Sequence, residues 1–306
     1  MLNAVDKGLL ETVADLYKIP SGAFSLRKNG SGLFINSSEN VTVKAKEGQP
    51  GIDVIVKPGT KNESIHIPVI ISQSGIKDMV YNTIEIGEGA DVVLVAGCGI
   101  HNSGSEASQH DGVHNIIIKK GARLRYIEKH YGEGNGSGGK ILNPQTVVEI
   151  HEGGIGEFEM VQIGGVDSTH RVTEAKLGKR AKLVIKERLM THGEQEAFSD
   201  IKIELNGEEA LADVISRSVA KHTSSQVFRA QVIARSAGRG HVECDSIIMD
   251  SAKISSIPEI RAEHPEAELT HEAAIGKISG EQIIKLMSLG LSEEEAVKVV
   301  IEGFLR

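Results

Sequence analysis

The sequence has no tryptophan, aromatic residues make up only 3% of it, and it contains just two cysteines. Cys98 and Cys244 are too few for a disulfide framework in a chain of 306 residues. A reducing cytoplasm is the natural expectation, and thiols kept reduced are free to serve as metal ligands. No stretch approaches the roughly 20 apolar residues that span a bilayer, so no membrane association is expected. Met1-Leu-Asn-Ala-Val-Asp6 also lacks the basic start and apolar run of a signal peptide. Positive charge is in the minority, with 34 Lys and Arg against 42 Asp and Glu, a formal net charge of -8. That argues against nucleic-acid binding, which needs a dense basic surface. The short pairs Lys119-Lys120 and Lys179-Arg180 read as solvated strand ends. The nucleophile elbow, the dinucleotide-binding glycine fingerprint and the HExxH helix are all missing, and nothing supports a hydrolase triad.

What the chain does have is glycine, 34 residues of it, with many Val and Ile. This combination suits strands and tight turns filled with aliphatic side chains. Residues 3–17 read as a short amphipathic helix, with Leu9, Leu10, Val13, Leu16 and Tyr17 on one face. Ile19-Pro20 ends it. From about residue 24 to 265 helical periodicity is weak and period-two alternation recurs, as in Ile52-x-Val54-x-Val56.

Aligning these segments yields a repeat. Ile84-Glu-Ile86-Gly-Glu-Gly-Ala90-Asp-Val92 resembles Ile116-Ile-Ile118-Lys-Lys-Gly-Ala122-Arg-Leu124, and three further copies follow. Their anchors Ile86, Ile118, Ile150, Leu177 and Leu205 lie 32, 32, 27 and 28 residues apart. A single unit of strand, turn and strand has no partner for its apolar face, so neighbouring units must stack. The near-constant period without intervening helices favours a mainly β solenoid over a β-sandwich. A solenoid has exposed end edges that need capping, and the terminal helices are the expected caps. The expected division is an N-terminal helical segment over 1–23, a β-helix core over 24–270 and a C-terminal helical segment over 271–306. Gly132-Glu-Gly-Asn-Gly-Ser-Gly-Gly139 lacks the phosphate-loop arrangement and reads as a flexible loop.

After Gly276 the pattern turns helical. Ser279-x-x-Gln282 and Ser292-x-x-Glu295 both fit capping boxes, and Gly290 supplies a stop between two helices. Ile283 and Met287 form one stripe, and Ala296, Val300 and Phe304 another. Either both stripes pack on the solenoid or part of one is left for a partner protein.

Two groups of residues point to chemistry. Cys244 shares strand parity with Val242, and His271 with Leu269, so each reads equally as a core residue or as a metal ligand. Thiolate and imidazole suit iron, zinc or copper(I), and the Glu272 carboxylate would complete an iron site. Three ligands fall short of the usual four of a cluster, which a dimer interface would remedy. The second group is Cys98-Gly-Ile-His101 with His110-Asp-Gly-Val-His114. Cys98, His101, His110 and His114 form a possible second metal or sulfur site, or alternatively a set of polar loop residues at a rung edge.

Several motifs taken together resemble the SufB/SufD family of iron–sulfur cluster assembly scaffolds. They are Glu243-Cys-Asp-Ser246, Pro258-Glu-Ile260, Leu269-Thr-His-Glu-Ala-Ala-Ile-Gly276, Ser279-Gly-Glu-Gln282 and Leu289-Gly-Leu-Ser-Glu-Glu-Glu-Ala296. Ser108-Gln-His-Asp-Gly112 and Glu128-Lys-His-Tyr-Gly-Glu-Gly134 extend the likeness upstream. The resemblance implies a right-handed parallel β-helix flanked by helices. It also implies a complex with a SufC-type ABC ATPase through the C-terminal helices, with Ile283, Met287, Leu291, Val297 and Phe304 as the contact residues. A chain this compact would form a homodimer through the β-helix core and pass its cluster to apo iron–sulfur recipient proteins. By the same resemblance Cys244 falls on the cysteine that holds the nascent cluster, Glu272 on the glutamate paired with it and His271 on a neighbouring implicated histidine. The family's internal sulfur-accepting cysteine has no counterpart, which leaves Cys98 as the possible substitute.

The leading expectation is therefore a scaffold that is not itself an enzyme, ATP hydrolysis belonging to its partner. A structural adaptor of the ATPase is the second reading, and a metal-dependent β-helix enzyme using Cys98, His101, His110 and His114 is the third. Scarce aromatics count against a polysaccharide-cleaving β-helix.

Overall fold

The computed structural model describes residues 2–306. From strand Ser108–Ile118 onward the chain alternates between two sheets, of 12 and 9 strands in all, and there all pairings are parallel, so each turn of the chain adds one strand to each sheet. The result is a parallel β-solenoid. The sequence repeat is its rung: Ile86 pairs with Ile118, Ile118 with Ile150, Ile150 with Leu177 and Leu177 with Leu205, all in one sheet. The ladder continues to Ala234. These side chains point inward and merge into one apolar core that runs from Ala23 to Cys244.

The turn chemistry explains why the repeat ends in glycine or a charged residue followed by a small one. Gly89, Gly121, Gly153, Arg180 and Glu209 take the left-handed conformation at successive turns, with φ of 65, 62, 65, 54 and 58°. The turns stack through backbone bonds, Gly89 N to Lys120 O and Gly121 N to Glu152 O, each 3.0 Å. Ala90, Ala122, Ala181 and Ala210 follow them and are fully buried under the turn.

The ends of the solenoid differ. At the N-terminal end two antiparallel pairs, Phe24–Lys28 with Ser31–Asn36 and Val41–Ala45 with Ile52–Val56, close the stack. Helix α1 (Ala4–Ala14) is held by a capping box between Asn3 and Asp6. It packs Leu9, Leu10 and Val13 on the outer face of the larger sheet. The expected helix over 3–17 stops early because Asp15 turns left-handed at φ 53°. Tyr17, expected on the apolar face, is 80% exposed.

At the C-terminal end no strand among the described residues is stacked beyond Lys253–Ala262 and Glu268–Gly276. Inward positions that are buried in the preceding strand Arg239–Ile248 are largely exposed in these two. The solenoid thus continues past the boundary expected at residue 270. Helices α2 (Gly280–Ser288) and α3 (Glu293–Phe304) do not cap this end as expected. Ile301 and Leu305 instead pack on Val219 and Ile247 along the flank of the larger sheet. The strands end there, and the chain after Gly276 leaves along them, so the helices lie beside the stack and the last rung stays open. No helix among the described residues is long and apolar enough to cross a membrane.

Candidate site at the open end and a buried polar line

Alternation in strand Arg239–Ile248 turns Val242 and Cys244 inward. Cys244 is 3% exposed, although only one strand of its sheet lies beyond it. On that strand His271 sits beside Val242 and Ala273 beside Cys244. The imidazole leans across the small Ala273, so that His271 Nε2 lies 3.2 Å from Cys244 Sγ. Ser256 Oγ, from the other sheet, is 3.0 Å from the same sulfur, and the Glu272 carbonyl oxygen is 3.8 Å away.

Burial pushes the Cys244 thiol above its ordinary range, and Asp245, Glu187 and Glu243 add to this while the Ser256 hydrogen bond opposes it. Burial, then the neighbouring His241, depresses His271. At neutral pH the pair is therefore a thiol beside a neutral imidazole: two soft donors, one of which must lose its proton to bind metal. Sequence reasoning placed Cys244, His271 and Glu272 in one site. The structure brings the first two together. Glu272 has the opposite parity, so its carboxylate lies on the exposed outer face and only its carbonyl reaches the sulfur.

A line of buried polar groups runs inward from Cys244. Its neighbour on the preceding strand is Ser216, which donates to Glu187 Oε2 at 3.1 Å. Ser199 donates to Glu187 Oε1 at 2.7 Å. Arg171 then bridges Glu187 and Glu128. Tyr126 donates to Glu128 Oε2 at 2.8 Å, and Arg171 Nη2 lies 3.4 Å from His130 Nδ1. Burial alone would raise Glu128, but the charges of Arg171, His130 and His114 outweigh it and hold the carboxyl at about 2. Burial lowers His114 and His130 to about 4, so both imidazoles are neutral at physiological pH. Glu128, Arg171 and Glu187 were not recognised as site residues from the sequence. Their signal was available: each falls in phase with the inward apolar positions of its strand, as in Leu183-x-Ile185-x-Glu187.

The second expected site does not form as a set of four. His101 is partly exposed and pairs with Glu133, 3.0 Å from its Nδ1. Cys98 lies beside His130 in the ladder, and burial raises its thiol far above the usual range. His110 and His114 both point inward from strand Ser108–Ile118 on either side of Gly112. His110 Nδ1 is 3.1 Å from the Asp78 carboxylate, which Arg27 also holds. Among the described residues no three His, Cys, Asp or Glu side chains stand ready at metal-binding separations.

Of the residues expected to contact a partner, Val297 and Phe304 pack toward the solenoid with Ile301 and Leu305. Helix α2 buries no side chain, and Ile284 and Met287 stand out from it with Leu289 just beyond.

Comparison with known proteins agrees with this architecture. Residues 69–304 match the family model described as SUF system FeS cluster assembly, SufBD core domain. The chain is 30% identical to an iron–sulfur cluster assembly SufBD family protein of Archaeoglobus fulgidus, over 81% of this chain and 66% of that one. It is 28% identical to one from Methanocaldococcus jannaschii, over 89% and 86%. A relative from Pyrococcus horikoshii is 27% identical over 89% and 83%. With a family match across most of the solenoid and both C-terminal helices, this chain belongs to the SufB/SufD family of iron–sulfur cluster assembly proteins.

Proposed function

We propose that the protein is the scaffold on which an iron–sulfur cluster is built, at an interface between two copies of the chain joined through the open end of the solenoid. The observation that carries this reading is the thiol–imidazole pair of Cys244 and His271, 3.2 Å apart and one strand from that end. Two donors per chain are half of what a cluster usually takes, and a two-fold interface brings the other half. The open end suits such an interface. Its two edge strands have unpaired backbone groups, and Ile257, Ile260 and Ile275 are exposed on them.

Iron at the site would displace the thiol proton, and the neutral imidazole would enter as it stands. Glu272 would take the place of His271 only if the last strand left its present register, since a slip of one residue exchanges the faces of the two side chains. A SufC-type ATPase docked on α2 and α3 is the proposed source of that movement. The exposed apolar side chains of α2 support this docking surface. Apo iron–sulfur proteins would receive the finished cluster.

The test is anaerobic reconstitution with iron and sulfide, with and without the ATPase, followed by Mössbauer spectroscopy and light scattering. Wild-type protein should hold a cluster as a dimer. Cys244→Ser, a nearly isosteric change, should fold and lose the cluster. A variant that retains a full cluster would exclude Cys244 as a ligand. Absence of a cluster in wild type would favour an adaptor that only regulates the ATPase.

A further inference from the structure

The N-terminal end of the solenoid holds a cavity. Phe24 and Leu26 of strand Phe24–Lys28 pack under α1, so alternation turns Ser25 and Arg27 the other way, into the interior. Facing them, strand Lys77–Ile86 turns Asp78, Val80 and Asn82 inward. The loop over residues 46–51 closes this first rung. Tyr81 N donates to Pro50 O at 2.9 Å. Gly51 presses so closely on the same strand that a Cβ there would stand 1.8 Å from Tyr81 O. Between the two strands and the loop lies a cavity of about 250 Å³, partly open to solvent. That volume is the share of roughly eight waters in the liquid.

Apolar and polar side chains share the lining. Ile67, Val69 and Val80 form an apolar wall, and Ser25, Arg27, Lys46 and Asn82 border the same space. Ser25 and Asn82 are each 7% exposed. Asn82 uses its carbonyl oxygen to accept from Ile52 N at 3.0 Å, and its amide nitrogen has no partner among the described residues. The Ser25 hydroxyl has none there either. Arg27 holds Asp78 and Gly30 O through Nε and Nη2, which leaves Nη1 without a partner among them as well. Buried donors of this kind are costly unless a ligand or water takes them up. The lining has two cationic side chains and no carboxylate. Asp78 balances Arg27 and Asp53 balances Lys46 from outside it, so the cavity offers free donors with little net charge.

We propose that this cavity binds a small monocarboxylate of about six to ten non-hydrogen atoms, with its carboxylate on Asn82 Nδ2, Ser25 Oγ and Arg27 Nη1 and its apolar body against Ile67, Val69 and Val80. The lining selects this class. Free donors with no carboxylate beside them favour an anion, and hydrogen bonds to a charged acceptor are about twice as strong as neutral ones. Asp78 and Asp53 already balance the two cations, so a multiply charged phosphate would enter with its charge largely uncompensated. The apolar wall favours a hydrocarbon body over a second polar group. The site lies at the opposite end of the solenoid from Cys244 and does not depend on a cluster there.

Titration calorimetry of the whole chain with isovalerate and benzoate tests this, with isovaleramide and inorganic phosphate as controls. The acids should show saturable binding. Isovaleramide, which has the same shape without the charge, should bind roughly 10-fold more weakly or worse, and phosphate should not bind. Asn82→Asp keeps the acceptor for Ile52 N but replaces the amide donor with an anion, so it should abolish binding of both acids. Ser25→Ala removes a single hydroxyl and should weaken isovalerate by about 10-fold. Circular dichroism melts establish that the variants are folded, and if Asn82→Asp does not fold, Ser25→Ala decides. The proposal is overturned if neither acid binds wild type, if acid and amide bind alike, or if either folded variant binds isovalerate as tightly as wild type.

Discussion

Replacing Arg171 with methionine, which keeps most of the side-chain volume, tests the reasoning about the buried polar line. Arg171 is the guanidinium that bridges Glu128 and Glu187, and all three are at least 96% buried. Removing one partner of a buried ionic group leaves uncompensated charge in a poorly polarisable interior and costs about 3–5 kcal/mol. For a chain of this size that is a fall of roughly 10 °C in melting temperature. The sign of the pH dependence is diagnostic. In wild type the Glu128 carboxyl is held at about 2, below its ordinary 4.5, so its contribution is present above pH 4.5 and lost as pH falls from 4.5 toward 2. In Arg171→Met the largest force that lowers it is gone, and burial raises it above 4.5. The variant should then gain stability as pH falls from 8 toward 4.5, over a range where the wild-type contribution of this group is flat. Urea titrations followed by circular dichroism at pH 8, 6.5 and 5 measure both trends. Adding Glu128→Gln and Glu187→Gln to Arg171→Met should recover most of the loss. A variant within 1 kcal/mol of wild type at pH 8, or one whose deficit is independent of pH, would refute the account.

Three other outcomes are expected. Gly97→Ala should detach α1, because the new Cβ would overlap the Val13 carbonyl; the cost is about 1–3 kcal/mol, and proteolysis should then cut near residue 15. Ile257→Glu with Ile275→Glu should hold the protein monomeric in light scattering at an unchanged melting temperature, since both side chains are exposed in the single chain. If the dimer persists, the open end is not the interface. Amide exchange should be faster across Glu268–Gly276, which has a neighbour on one side only, than across Lys182–Thr191, which has neighbours on both.

Legibility followed local chemistry. The repeat anchored at Ile86, Ile118 and Ile150 was readable because its turns use a left-handed residue and then a small one, a requirement that recurs in five successive rungs from Gly89 to Glu209. The inward parity of Cys244 and His271 was readable from the strands, whereas their grouping into one site rested on donor chemistry and on the family resemblance. The position of Glu272 was equally implicit, because neighbouring residues on a strand face opposite ways. What stayed hidden depends on how elements dock. The flanking course of α2 and α3 is set by where the last strand ends, and no periodicity reports that. His101 looked equivalent to His110 in spacing, yet one meets Glu133 near the surface and the other meets Asp78 inside. The charge of Arg171, Glu128 and Glu187 masks their place in the core, although their phase along the strands points inward.

The contrast between the two ends of the polar line bears on function. Arg171, Glu128 and Glu187 lie in rungs covered on both sides, where every member has a partner and rearrangement would strand a charge. Cys244 lies at the other end of the line, where cover falls to a single strand and His271 is the last side chain over the sulfur. Under the proposed function the scaffold has to hold iron and sulfide firmly enough to assemble a cluster and loosely enough to surrender it. His271 lies on the edge strand and Cys244 one strand further in, so the outer donor is the one free to shift without disturbing the rungs behind it. Ser216, bonded to Glu187 and paired with Cys244 in the ladder, ties the strands beneath the thiol to the rungs behind them.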